Sequence, residues 1–136
     1  MEERADNDAD LYFAYSASLR IFGAHVDFNA ISQTLGLSPT YTHRKGEKRI
    51  EVFKHDMWLY QVPVDENEAL GHHIDALWAT LQPHAGYLLE LKKSYTVDIF
   101  LGYRSNSCTA GFEIPSSSLV IFVQLDIPLG VSVIIT

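Results

Sequence analysis

A short basic loop holds the residues best suited to bind an anion. It runs from His43 to Arg49, reads His-Arg-Lys-Gly-Glu-Lys-Arg, and is called the basic loop below. An arginine guanidinium can clamp a carboxylate or a phosphate through two parallel hydrogen bonds, and lysine adds a point charge. Aromatic residues on the strand that follows could supply a flat apolar wall beside the loop. The candidate ligand-binding residues are Arg44, Lys45, Lys48, Arg49, Trp58 and Tyr60.

The basic loop also has a purely structural interpretation. An arginine in a solvated turn can form an ion pair with a nearby carboxylate, and Glu51 and Asp56 both follow closely in the sequence. The exposure of Trp58 separates the two interpretations, because only an exposed indole ring could contact a ligand.

Acidic residues form a second candidate binding surface. The chain has a net charge of −7, and its first ten residues hold five acidic side chains against Arg4, a balance of −4 that leaves −3 for the rest. This balance disfavours nucleic-acid binding, which needs a basic surface, and favours a basic partner protein. Arg44 and Lys45 could add specificity at the rim of that contact. The acidic residues expected to face the partner, besides those of the first ten residues, are Asp65, Glu66, Glu68 and Asp75.

Neither the six histidines nor the single cysteine indicates catalysis. The histidines show no metal-ligand spacing, and the adjacent His72 and His73 would point about 100° apart on a helix. Cys108 lies in a serine-rich turn, with no histidine close in sequence to activate its thiol. Nucleophile elbows, phosphate-binding glycine loops and dinucleotide fingerprints do not occur. We therefore expect no enzyme activity, no metal and no cofactor.

The elements that position these residues begin with a strand and a capped helix. Apolar residues alternate over 13–21, which predicts a half-buried strand. Asp27 suits a helix N-cap, and Gly36 suits the left-handed position that ends a helix. Residues 40–48 are expected to form a loop.

The middle of the chain predicts a hairpin and a long helix. Residues 49–53 and 57–62 are expected to form two strands joined by a short turn. Apolar residues at helical spacing over 70–81 indicate an amphipathic helix, and Pro83 either ends it or starts another.

The last third of the chain predicts further strands. Alternation over 95–103 indicates a strand, and 110–114 is expected to pair with it as a hairpin. The segment 119–125 is ambiguous, because its β-branched residues fit either a helix or a strand. Alternating apolar residues over 129–135 predict that the chain finishes as a strand within the sheet.

Together these elements predict an α+β fold with the order β-α-β-β-α-β-β-α-β. We expect a mainly antiparallel sheet of about six strands, helices on one face and a ferredoxin-like core. The acidic leader 1–10 is expected to be mobile, and 11–136 to form a single domain. A single cysteine, no signal peptide and no membrane segment favour the cytoplasm.

Short motifs occur in a fixed order after residue 12: LRIFG at 19–23, LGLSPT at 35–40, RKG at 44–46, Trp58, IFLGY at 99–103 and GF at 111–112. In this order they resemble the bacterial family of domain of unknown function 4279, over nearly the whole chain. The resemblance implies no assigned activity and favours a helix at 119–125. It also implies a possible role, because some members look like immunity proteins, which neutralise a toxin of the same bacterium.

The leading hypothesis is therefore a non-enzymatic protein-binding module, and specifically an immunity protein that covers a toxin. The alternative is a small-ligand or anion-binding domain that uses the basic loop with Trp58 and Tyr60. An enzyme would need carboxylates or histidines to converge from separate elements. A bare sheet edge at the terminal strand would also allow a homodimer.

Overall fold

A five-stranded mixed sheet forms the centre of the fold. The computed structural model describes residues 11–107, 109 and 111–136, so the leader 1–10 and Cys108 lie outside the described residues. The strands are β1 (Phe13–Gly23), β2 (Tyr41–His43), β3 (Asp56–Gln61), β4 (Thr96–Ser105) and β5 (Leu129–Ile135). Their order is β2-β3-β1-β4-β5, and every neighbouring pair is antiparallel except β4 and β5, which are parallel.

Helices lie in the connections between the strands, except in the one from β2 to β3, and the predicted α+β class is confirmed. Two 3₁₀ turns, Gln82–His84 and Ser116–Leu119, precede the third and fourth helices. Within the described part of the chain, no helix has both the length and the apolar character needed to cross a membrane. The helices are α1 (Phe28–Leu35), α2 (Leu70–Leu81), α3 (Ala85–Leu91) and α4 (Val120–Leu125).

The predicted caps of α1 are confirmed. The Asp27 carboxylate accepts a hydrogen bond from the amide of Ala30 at 3.0 Å, which satisfies a donor of the first turn. Gly36 follows the helix with φ of +67°, a left-handed conformation that favours glycine. These two signals fix both ends of α1.

One hydrophobic core lies between the sheet and the helices. The register pairs Leu19 of β1 with Ile99 of β4, so both side chains lie on the same face of the sheet. Ile74 and Leu77 of α2 pack against that face, and all four residues are fully buried. The side chains of the alternate residues in each strand lie on the opposite face of the sheet.

The predicted hairpin of 49–53 with 57–62 is wrong in its first strand. Residues 49–53 form only an isolated bridge, between Lys48 and Val52. β3 already pairs with β1 on one side, and β2, from the segment expected to be a loop, occupies the other side. A short alternating segment without a vacant partner strand stays irregular, and Ile50 is accordingly 96% exposed.

The predicted strand at 110–114 is also wrong over the residues described, because 111–115 belong to no strand. The outer neighbour of β4 is instead β5, and the connection between these parallel strands contains α4. Residues 120–125 are helical because Ile121 and Leu125, one turn apart, are both fully buried in the core. The expected count of six strands and the exact element order are therefore corrected, and the sheet includes one parallel pair.

Candidate functional site

Arg44 of the basic loop is engaged in bonds to its own chain. Its Nη1 donates to Asp56 Oδ2 at 2.7 Å and to the carbonyl oxygen of Val26 at 2.8 Å. Its guanidinium carbon lies 3.7 Å from the ring centroid of Phe28, at the start of α1. Arg44 therefore pairs with Asp56, one of the two carboxylates that the structural interpretation named.

The Asp56 carboxylate is the centre of this arrangement. Asp56 is only 4% exposed, and it accepts hydrogen bonds from the amides of Val26 at 3.0 Å and Lys45 at 2.8 Å as well as from Arg44. Burial by itself raises the pKa of this carboxyl, but the two amides and the guanidinium outweigh it and lower the pKa to about 2. The ionised carboxylate fastens the basic loop to the chain just before α1.

The other basic residues of the loop make contacts that differ from those of Arg44. Lys45 contributes its backbone amide to Asp56, and Lys48 lies at the isolated bridge with Val52. The Arg49 guanidinium carbon lies 5.3 Å from the ring centroid of Tyr41. The two arginines of the loop thus contact different aromatic rings, Arg44 that of Phe28 and Arg49 that of Tyr41.

Trp58 cannot form a wall of a ligand site. It is fully buried, and its Nε1 donates to Ser32 Oγ of α1 at 3.1 Å. Tyr60 lies two residues along the same strand, on the same face, and packs half-buried against the core. The expected aromatic wall beside the basic loop is therefore wrong for Trp58, because this face of β3 packs beneath α1.

Two of the histidines, His43 and His73, are buried by packing. The ring of His43 stacks on Phe53 with 3.7 Å between centroids, and Tyr41 Oη lies 3.0 Å from His43 Nδ1. Burial lowers the pKa of the His73 imidazole, which is 1% exposed in α2. Among the described residues, no group of three or more His, Cys, Asp or Glu side chains could hold a metal ion.

The acidic candidates lie together where the chain enters α2. Asp65, Glu66 and Glu68 are exposed in the segment before the helix, and Asp75 is exposed on it. The carbonyl oxygen of Glu66 accepts a hydrogen bond from the amide of Tyr15 at 2.9 Å, which ties this segment to β1.

A cleft of about 930 Å³ opens beside these residues, with Tyr15 among its lining residues. Apolar side chains of Phe112, Ile114 and Pro115 line it, together with the exposed carboxylates Asp75 and Glu113. We call this feature the acidic cleft. Its combination of apolar walls and a few charged groups is typical of a binding site.

Close packing of α2 against Pro115 shapes the acidic cleft. A Cβ atom added at Gly71 would lie 2.9 Å from Cδ of Pro115, so a glycine is needed at this point of contact. Tyr15 stacks on Tyr103 at 5.5 Å, and Tyr103 in turn contacts Phe112 at 5.2 Å. Burial, followed by repulsion from Tyr103, raises the pKa of Tyr15, so its phenol is neutral at pH 7.

Three residues of the acidic cleft, Phe112, Glu113 and Ile114, were not predicted to belong to a site. Their alternation predicted a strand, whereas in the structure they are irregular and line the acidic cleft. No local signal opposed a strand there, since Pro115, directly after these residues, itself favours an extended conformation in the residue before it.

A second ion pair was also missed, on the face of the sheet opposite the core. Arg20 Nε and Nη2 donate to the two oxygens of Asp98 at 2.9 and 2.8 Å. The guanidinium carbon lies 3.9 Å from the ring centroid of Phe100 and 4.8 Å from that of Phe22. This bidentate pair crosses from β1 to β4, where the two residues are direct partners in register.

A family model described as "Domain of unknown function (DUF4279)" matches residues 13–135, nearly the whole chain. The resemblance drawn from the sequence motifs is thereby confirmed. No curated protein and no solved structure matches the chain. The ferredoxin-like comparison therefore stays a prediction.

Proposed function

The chain belongs to the DUF4279 family, and we propose that it is a non-enzymatic protein-binding module, specifically an immunity protein that neutralises a bacterial toxin. The observation that carries this proposal is the acidic cleft, in which exposed carboxylates stand beside an apolar, aromatic lining. A toxin that acts on nucleic acid or another anion has a basic active site, which such a surface complements.

The proposed contact is a basic side chain of the partner inserted into the acidic cleft. Its aliphatic stem would pack against Phe112 and Ile114, while its charged end would meet the carboxylates of Asp75 and Glu113. Exposed Asp65, Glu66 and Glu68 beside the cleft extend the negative field. That field would speed the approach of a basic protein.

The placement of the strongest ion pairs supports a binding role over catalysis. The carboxylates of Asp56 and Asp98 are each bonded to an arginine that joins two parts of the fold. Their charges stabilise structure, while the carboxylates of the acidic cleft face solvent. We place this activity in the cytoplasm of the producing cell.

Anion binding by the basic loop is the less favoured alternative. Arg44 is already bonded to Asp56 and Val26, and Trp58 is buried. The exposed lysines of the loop would then have to hold an anion without the expected arginine clamp or aromatic wall.

Co-expression with the product of the neighbouring upstream gene tests the proposal. If that product is a toxin, the wild-type chain should restore growth and elute with it as a complex. The double variant Asp75→Lys/Glu113→Lys should lose both effects, since it reverses the charge of the acidic cleft. Glu51→Lys/Glu90→Lys, with the same charge change at exposed positions outside the cleft, is the matched control. A non-toxic product, or no complex with the wild-type chain, would overturn the proposal.

A further inference from the structure

The outer edge of β5 is a long, uncharged strand edge. β5 is the last strand in the sheet order, so one of its sides has no partner among the described residues. Its residues Leu129–Ile135 read Leu-Gly-Val-Ser-Val-Ile-Ile and include no charged residue and no proline. Lysine and proline are the usual devices that keep a sheet edge from pairing with another chain.

The direction of the β5 amides shows which residues could pair outward. The amide of Thr136 donates to the carbonyl oxygen of Ser105 in β4 at 3.0 Å. Backbone donors and acceptors point alternately to the two sides along a strand, so the even-numbered residues of β5 bond to β4. The amides and carbonyls of Leu129, Val131, Val133 and Ile135 therefore face outward.

The other edge of the sheet differs. β2 has three residues, and the segment that follows it folds back so that Phe53 stacks on His43 at 3.7 Å. An edge strand this short offers few backbone groups for pairing. Among the described strands, β5 is therefore the edge open to a partner.

We propose that this edge pairs with β5 of a second copy, antiparallel across a two-fold axis at Ser132. The sequence is nearly symmetric about that residue, with Val131 and Val133 on either side. In this register Val131 lies opposite Val133 of the second copy, and Leu129 lies opposite Ile135. All four are residues with outward-facing amides, so each pair exchanges two hydrogen bonds.

The exposed side chains of β5 fit such an interface. Val133 is 56% exposed, Ile135 49% and Leu129 45%, and β-branched side chains pair well across antiparallel strands. The exposed apolar side chains of β5 offer on the order of 400 Å² per copy, below the roughly 800 Å² per partner of a standard interface. The dimer is therefore reversible and concentration-dependent, and salt does not weaken it because the edge is uncharged.

This inference is independent of the proposed function. Its test uses the protein alone, so failure of the dimer leaves the toxin experiment unaffected, and the reverse also holds.

Sedimentation velocity over a range of protein concentrations tests the interface. The wild-type protein should shift from monomer to dimer as concentration rises. Val133→Pro should stay monomeric, because it removes an outward amide and leaves the β4 ladder intact. Val133→Lys should do the same by charging the edge. Val52→Lys is the matched control, since Val52 is also 56% exposed but lies outside β5.

Cysteine cross-linking tests the register. In a Cys108→Ser background, Ser132→Cys should form an intermolecular disulfide, because residues opposite each other at a non-hydrogen-bonded pair lie about 4.5–5.5 Å apart. Ile134→Cys, on the same face of β5, should form no such disulfide, because the two residues at position 134 would lie roughly 13 Å apart in the dimer. A wild-type protein that stays monomeric at every concentration would overturn the inference. So would a dimer that persists in both Val133 variants.

Discussion

At the scale of single residues, Asp56 determines the position of the basic loop. Its buried carboxylate joins the loop to the segment before α1 through three donors. An ion pair of this kind is costly to break from one side, because the remaining buried groups lose the charge and the acceptor that they are matched to.

We expect Asp56→Asn to lower the free energy of unfolding by about 2–3 kcal/mol, measured by urea denaturation at pH 7. The pKa of Asp56 falls from an ordinary 3.8 to about 2 on folding. Its contribution is therefore complete above about pH 4 and is lost as pH falls through the folded value. The difference in the free energy of unfolding between the wild type and Asp56→Asn should become smaller as the pH falls from about 4 to about 2. A constant difference over that window would contradict this role, and Asp75→Asn, at an exposed site, should change stability little.

The variant Arg44→Ala distinguishes a structural role of Arg44 from a role in anion binding. We expect it to destabilise the protein by about 2 kcal/mol, since it leaves Asp56 without its cation. Lys48→Ala should change stability by less than about 0.5 kcal/mol. A thermal-shift series with phosphate and dicarboxylates should show no rise in the wild-type melting temperature. A rise in wild type that is absent in Arg44→Ala would restore the anion-binding alternative.

The roles of these residues could be predicted from the sequence only in part. It named Asp56 as a possible partner of Arg44, because the two are close in sequence. It could not show that Asp56 is buried, since burial depends on the pairing of Gly23 with Asp56 across β1 and β3. Trp58 was misplaced for the same reason, because its partner Ser32 lies on a separate helix.

At the scale of elements, local signals determine α1. An N-cap aspartate and a left-handed glycine act within a few residues, so both ends could be predicted without knowledge of the rest of the fold. Strands differ, because a short strand exists only where another strand is available to pair with it. The long alternations of β1 and β4 were predicted, whereas 49–53 and 110–114 were not strands in the described residues.

Paired glycine substitutions test the end of α1. Gly36→Ala should lower the free energy of unfolding by about 1 kcal/mol, because alanine is strained at φ of +67°. Gly86→Ala, inside α3 with open space around the added methyl group, should raise it by about 0.5 kcal/mol. Both are measured by urea denaturation. Equal effects of the two substitutions would contradict the assigned role of Gly36.

At the scale of the whole molecule, the acidic cleft and the β5 edge differ in chemistry. The acidic cleft carries exposed carboxylates, whereas the β5 edge carries none. Binding of a basic partner at the cleft should therefore weaken as salt is added, while self-association should not. Titrations and sedimentation runs at low and high salt would show this contrast. A dimer that dissociates in high salt would contradict the assignment of an uncharged interface.

The central claim is that the acidic cleft binds a basic partner protein. Calorimetric titration with the product of the neighbouring upstream gene tests it most directly, with the wild-type chain, Asp75→Lys/Glu113→Lys and the control Glu51→Lys/Glu90→Lys. We expect the cleft variant to weaken affinity by at least about tenfold and the control by less than about twofold. Equal affinities of the cleft variant and the wild type would contradict the claim.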